Sequence, residues 1–284
     1  DGIEHMTGIG IAAITSPEGK KFLEGKVIEA GHKNSALYQY MDPATFDGLI
    51  AEMLRKNVYV NPTLNFEWKG INPRTQQFEL EDTALLNNPN LQYVPLDERL
   101  VTLGQYHWAD GKSSAEREQY AKGLKRVQEF LGRFVKAGGK VYSGTDTAAA
   151  NTPGLSIHHE MELLVDAGLT PLQALMSSTL WGAEILHLDK QLGTVEAGKL
   201  ADLVVLDANP LDDIRNSKRI SKVIQNGEVV DTSFHSDYQF PFPRYGGESK
   251  HLYNPVPQLR DAVPPVATEG QQVTVRLLGK GFVP

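Results

Sequence analysis

The 284-residue sequence contains no cysteine, so it has no disulfide and no thiolate to offer a metal; any metal site must be built from histidine, aspartate, glutamate and water. No apolar run approaches the roughly 20 residues that a membrane-spanning helix needs. Positive charge is scarce. Lysine and arginine total 28 against 35 aspartates and glutamates, and the formal net charge of −7 gives no electrostatic reason to expect a nucleic acid or an anionic membrane as partner. No His-x-His pair occurs anywhere in the chain. There is also no initial methionine or signal-like leader, and Asp1-Gly2-Ile3-Glu4-His5 reads as the end of a strand, so the chain is expected to be cut at this end.

What is present is ordinary for a globular protein: 40% hydrophobic and 22% charged residues, over a length that allows one large domain or two. The most informative stretch is 138–160. Lys140 to Ser143 is β-prone and runs through Gly144 into Thr145-Asp146, which sets a carboxylate at the C-terminal tip of an expected buried strand. In parallel α/β barrels, strand tips of this kind carry the active site. The flanking glycines allow a tight turn and close approach of a ligand.

Before this stretch, residues 6–40 predict a loop with a short helix at about 19–30, and His32 within it is read as exposed. Asp42-Pro43 opens a helix with Phe46, Leu49, Ile50, Met53 and Leu54 at helical spacing. Residues 58–64 follow as a strand broken near its exit by Pro62. Residues 65–111 lose periodicity and read as a long irregular excursion, a lid over the site, from which Arg74 and His107 are candidate substrate contacts. Ser113 or Ser114 caps a helix to about Lys136, apolar at Leu124, Val127, Phe130, Leu131 and Phe134. The alternation of strand and helix predicts an α/β parallel architecture.

After Asp146 a loop leads into a helix bearing His158, His159 and Glu160. Neighbouring histidines lie about 100° apart on a helix, so at most one faces the site. His158 is the candidate, as a substrate contact or a support behind the metal ligands, and His159 is assigned to the surface. A further helix from Thr170-Pro171 is expected to end near Leu186, and residues 203–206 predict a buried strand. Asn226-Gly227 marks a hairpin.

Four motifs in order carry a resemblance: Gly144-Thr145-Asp146; Gly154-Leu-Ser-Ile-His158-His-Glu160; Ala167-Gly-Leu-Thr-Pro-Leu-Gln-Ala-Leu175; and Leu192-Gly-Thr-Val-Glu-Ala-Gly-Lys-Leu-Ala-Asp-Leu-Val-Val-Leu206. Together they resemble the C-terminal half of the metal-dependent amidohydrolases, nearest the imidazolonepropionase-like and prolidase-like subgroup. The resemblance implies the C-terminal part of a (β/α)8 barrel over residues 1–190 and strands of a composite β-sandwich over 191–232, with Asp202 structural. A Pro- and aromatic-rich linker is expected at 233–257. Residues 258–284 resemble the opening of an immunoglobulin-like module, which implies a chain cut at its C-terminus too and a periplasmic or extracellular location.

The same resemblance implies a divalent metal, zinc before manganese or iron, as one ion or two, held by His5 and Asp146. Asp146 is then also the general base and acid, with Thr145 beside it. The expected substrate is a small-molecule amide, either a dipeptide, an N-acyl amino acid or a cyclic amide, and a homo-oligomer stays open. The family's first-strand His-x-His, bridging lysine and further histidine are missing from this sequence, so the chain alone is expected to be inactive. Two alternatives remain: a ring-amidine deaminase on the same fold, and a non-catalytic barrel-derived binding domain. Glycoside hydrolysis is disfavoured, because no second strand-end acid accompanies Asp146.

Overall fold

The computed structural model describes residues 1–24, 35–147 and 151–236, and the strand backbones at 258–263 and 276–280. Three short strands set the frame. β1 (Gly2–Glu4), β2 (Tyr59–Asn61) and β3 (Lys140–Val141) pair in parallel in that order. α1 (Thr7–Ala12), α2 (Pro17–Leu23) and α3 (Phe46–Arg55) connect β1 to β2. α4 (Leu64–Glu67), α5 (Thr75–Leu85), α6 (Leu96–Gly104) and α7 (Ser114–Lys136) connect β2 to β3. Beyond β3 come α8 (Leu155–Asp166), α9 (Pro171–Ser177) and α10 (Leu180–Ile185). β4 (Leu203–Leu206), β5 (Ile220–Gln225) and β6 (Glu228–Val229) form a separate antiparallel sheet, and β7 (Gln258–Val263) pairs antiparallel with β8 (Arg276–Lys280). This is an α/β architecture, and its parallel sheet does not close on itself among the described residues.

The core lies between the parallel sheet and α7. Ser113 and Glu116 form a reciprocal capping box that starts α7, whose Leu124, Val127, Phe130, Leu131 and Phe134 are buried as the spacing predicts. Phe130 meets Phe46 of α3 edge to face at 5.2 Å, and Val60 and Val141 of the sheet are fully buried in the same cluster. Each aromatic of this kind buries enough apolar area to contribute about 2–3 kcal/mol.

Several expectations change. The helix near 19–30 is α2, which stops at Leu23, and His32 lies outside the described residues. Asp42 caps a 3-10 turn, Pro43–Thr45, before α3 begins, because its Oδ1 accepts from Ala44 N at 3.0 Å while its carbonyl takes Thr45 N. The single helix expected from Thr170 is broken into α9 and α10. Ser143, continuing past β3, donates its N–H to Ser177 O at 3.0 Å and pairs its hydroxyl with Ser178 Oγ at 2.6 Å, diverting the carbonyl at the break.

The strand at 203–206 forms but is not buried: the neighbouring Val204 and Val205, which point to opposite faces of the strand, are 56% and 42% exposed. Its hairpin is as expected, with Asn226 and Gly227 at φ 51° and 82°, the left-handed pair of a type I′ turn. Asp202 Oδ1 accepts from Asn226 N at 2.8 Å, a structural role. Residues 65–111 hold the short helical pieces expected within an irregular excursion, and packing around Trp68, Phe78 and Tyr106 sustains them where propensity alone would not. At 232–235 the chain leaves along residues 90–93, where Phe234 packs on Tyr93 at 5.5 Å. Of the expected linker and immunoglobulin-like start, 237–257, 264–275 and 281–284 lie outside the described residues.

Candidate active site

All three parallel strands leave the sheet through a left-handed, non-glycine residue at the same end. His5 follows β1 at φ 60°, Thr63 lies past β2 at φ 48°, and Asp146 lies past β3 at φ 50°. Such conformations are uncommon for any non-glycine residue and outlying for the β-branched Thr63, while Asp and His adopt them more readily; strained backbone of this kind clusters at functional sites. Here they turn His5 and Asp146 towards each other across the exit of β2, with Nε2 and Oδ2 3.9 Å apart. Both remain open to solvent, with side chains 22% and 40% exposed.

Thr63 Oγ1 lies 2.8 Å from the Pro62 carbonyl and 2.6 Å from His5 Nδ1. In the tautomer with the proton on Nδ1, His5 donates to Thr63, that hydroxyl donates to the Pro62 carbonyl, and the Nε2 lone pair faces Asp146. A histidine held in that tautomer is oriented as a metal ligand.

Gly144 makes the turn towards Asp146 possible. A Cβ at this position would overlap the Asn61 side-chain amide, which is itself held by Glu4 Oε2 at 2.6 Å. Gly144→Ala is expected to destabilise the protein by about 1–3 kcal/mol through overpacking. Thermal unfolding measures it, and an unchanged melting temperature would show that Asn61 can move aside.

Behind the strand tips the interior is polar. Glu160 of α8 is fully buried and accepts from Leu64 N at 2.8 Å and Asn65 N at 2.7 Å, the start of α4. Burial pushes its carboxyl up to about 7, against the pull of the two N–H donors. Lys69, also buried, lies 3.2 Å from Asp82 Oδ2, to which Tyr106 donates its hydroxyl at 2.6 Å. Burial lowers the Lys69 ammonium from its ordinary value, with Asp82 opposing the shift. Beside this cluster a cavity of about 510 Å³ runs under residues 86–103 to Thr147, one residue from Asp146, and its walls include Leu86, Leu91, Val101 and Arg99. It has the size and mainly apolar character of a small-molecule pocket.

The other candidate residues are placed as follows. Thr145 pairs its hydroxyl with Thr147 and stays beside Asp146. His158 is turned away from the strand tips, its Nδ1 2.9 Å from Ser217 Oγ, and burial together with the nearby Lys218 charge drives it down to about 4. His159, assigned to the surface, is instead buried, stacked on Phe78 at 3.9 Å with Nε2 2.8 Å from Glu81. Arg74 does not reach the site: it forks onto Asp166 at 2.7 and 2.8 Å and onto Glu162 at 3.0 Å. His107 is exposed and bound to Glu79 and Asp110 at 3.0 and 2.9 Å. Arg74 thus joins the buried Glu162 to Asp166, and His107 belongs to a surface ion-pair cluster, pairings that a sequence rich in unassigned acids did not reveal. Asn65, Lys69, Asn151 and Glu160 were missed. Only Glu160 carried a signal, an acid sharing a helical stripe with Leu163, Leu164 and Ala167.

Residues 14–230 match the family model of the amidohydrolases. The chain belongs to the amidohydrolase family. Asp146 falls within the match and His5 lies just before it. A 5'-deoxyadenosine deaminase of Methanobrevibacter smithii is 32% identical over 124 residues, covering 40% of this amidohydrolase and 28% of the relative. An imidazolonepropionase of a Geobacillus species is 31% identical over 102 residues, covering 34% and 24%. The matches thus span about a quarter of these relatives' lengths, 28% and 24%. A crystallised Xaa-Pro dipeptidase with bound methionine aligns over 68% of this chain and 38% of its own, at 20% identity and a TM-score of 0.43, a likeness too weak to argue from.

Amidohydrolases generally use a divalent metal. Among the described residues no group of three or more His, Asp or Glu side chains converges on one point. His5 and Asp146 nonetheless suit two positions of one site. Two ligands at about 2.0–2.2 Å from a tetrahedral ion lie about 3.3–3.6 Å apart, so the 3.9 Å pair would close by a few tenths of an ångström to share one, with Nε2 as the facing ring nitrogen.

Proposed function

We propose that this amidohydrolase segment supplies a metal ligand and the general base to an enzyme hydrolysing a carbon–nitrogen bond of a small molecule. The observation that carries it is the 3.9 Å opposition of His5 Nε2 and Asp146 Oδ2 at the tips of β1 and β3. It fits the C-terminal part of a (β/α)8 barrel, in which such tips form the site. His5 and Asp146 would hold a divalent ion, zinc or in its place manganese or iron, which would lower the pKa of a water towards ~7. Asp146 would take a proton from the attacking water and return it to the leaving nitrogen. His5, held by Thr63, presents Nε2 towards Asp146. The cavity beside Thr147 receives the substrate's apolar part, which suits dipeptides, N-acyl amino acids and cyclic amides of the kind imidazolonepropionase-like and prolidase-like enzymes handle.

A second reading is ring-amidine deamination, favoured by the deaminase relatives. The two readings differ in product: amide hydrolysis releases a carboxylate and an amine, deamination releases ammonia.

The 284-residue chain by itself is expected to be inactive, because catalytic zinc takes about three protein ligands and the described residues bring two together. The test begins with the gene: an open frame continuing upstream of the Asp1 codon, with a His-x-His motif in it, supports the reading. The longest polypeptide the gene encodes is then loaded with zinc or manganese and assayed on both substrate classes. Amide cleavage supports the first reading, ammonia release alone the second. No turnover on either class, or turnover by the 284-residue chain unaided, would sink the account.

A further inference from the structure

We infer that Asn151 is a positioning residue that holds the Asp146 turn against the exit of β2 and so sets the spacing of the two metal-ligand candidates. The inference rests on the metal reading of His5 and Asp146 given above. Asn151 is 2% exposed and uses both ends of its amide. Its Nδ2 donates to the carbonyl of Thr145, the residue before Asp146, at 2.5 Å. Its Oδ1 accepts from Asn65 Nδ2 at 2.9 Å and from Lys69 Nζ at 3.2 Å.

Both donors to Oδ1 sit on buried supports. Asn65 belongs to the first turn of α4, and Glu160 fixes that turn by accepting from Leu64 N and Asn65 N. Lys69 is held by Asp82, which Tyr106 also engages. The same first turn of α4 follows directly on Thr63, whose hydroxyl orients His5. One buried assembly therefore grips both strand tips, His5 through Thr63 and Asp146 through Asn151. Asp146 itself has a left-handed backbone and an exposed side chain, so nothing in its own conformation keeps it 3.9 Å from His5.

Asn151→Asp separates this role from packing. The carboxylate is isosteric and keeps the acceptor for Asn65 and Lys69, with the charge of Lys69 beside it, but it loses the N–H and turns an oxygen on the Thr145 carbonyl. The probe is Mn²⁺ alone, titrated into the longest polypeptide the gene encodes, wild type or variant, while paramagnetic broadening of the assigned His5 ring signals is followed by NMR. In the wild type those signals are expected to broaden saturably. Asn151→Asp is expected to weaken Mn²⁺ binding 10–100-fold, the usual consequence of removing a support behind a metal ligand, with the melting temperature within a few degrees.

Equal affinity in wild type and Asn151→Asp would overturn the inference and leave the metal reading standing. Absence of His5 broadening in the wild type would overturn the metal reading and this inference with it. Should Asn151→Asp fail to fold, Asn65→Ala decides, since it leaves Asn151 held by Lys69 alone: weakened binding supports the grip and wild-type binding refutes it.

Discussion

Asp146→Asn, placed in the polypeptide with the complete ligand set, is expected to lower kcat/KM by roughly 10²–10⁴-fold, the ordinary worth of a positioned general base. That is about 3–5 kcal/mol of transition-state stabilisation. The amide is isosteric with the carboxylate and can still lie 3.9 Å from His5 Nε2, but it accepts no proton from water and is a poor anionic ligand. Because the Asp146 side chain is 40% exposed and has His5 as its one ion-pair partner among those the structure shows, the fold is expected to tolerate the change with little loss of stability.

Activity is measured per bound metal ion, with metal content determined by atomic absorption, so that loss of the ion and loss of the base are told apart. A variant that keeps its metal and loses turnover assigns the proton transfer to Asp146. A variant as active as the wild type would remove Asp146 from the mechanism.

How far the sequence disclosed this site depends on where each residue's role originates. The placement of His5 and Asp146 at strand exits was legible because a strand followed by a turn is a local pattern, and the exit of a parallel strand is a known address. The capping box of α7 and the Asn226-Gly227 hairpin were legible for the same reason. Asn65, Lys69 and Asn151 were not, because their partners lie 82 and 86 residues apart in the chain and nothing local marks a polar residue that folding will bury. His159 was misplaced because helical position says only that it differs from His158 in direction. Which of the two is buried was decided by Phe78, contributed by α5. Arg74 and His107 were read as substrate contacts from residue type alone; the acids that bind Arg74 come from α8, and those that bind His107 are Glu79 of α5 and its near neighbour Asp110.

The pH dependence of folding is expected to be nearly flat between about pH 4.5 and 6.5, and this flatness is a cancellation between neighbours on α8. Glu160 has a folded value of about 7 against an ordinary 4.5, so between these values the folded protein keeps a proton that the unfolded chain has released. Its contribution is fully present below pH 4.5 and is lost as the pH rises through about 7, a swing of about 3 kcal/mol. His158 acts in the opposite sense. It falls to about 4 from 6.5, so its contribution is present above pH 6.5 and lost as the pH falls through about 4. Its partial exposure reduces that swing to about 2 kcal/mol.

Other shifted groups act elsewhere on the scale. Burial raises Glu81, but hydrogen bonds from His159 and Lys218 outweigh it and hold the group at about 2, below this window. His107 is raised by Asp110 and Glu79 and acts above it. Glu160→Gln should therefore expose the histidine, with stability rising from pH 4.5 to 6.5. His158→Gln should expose the acid, with stability falling over the same range. Urea unfolding of the 284-residue chain at half-unit pH steps measures all three curves. Parallel curves for wild type and both variants would mean that neither buried group titrates where its surroundings place it, and slopes of opposite sign would locate the cancellation in α8.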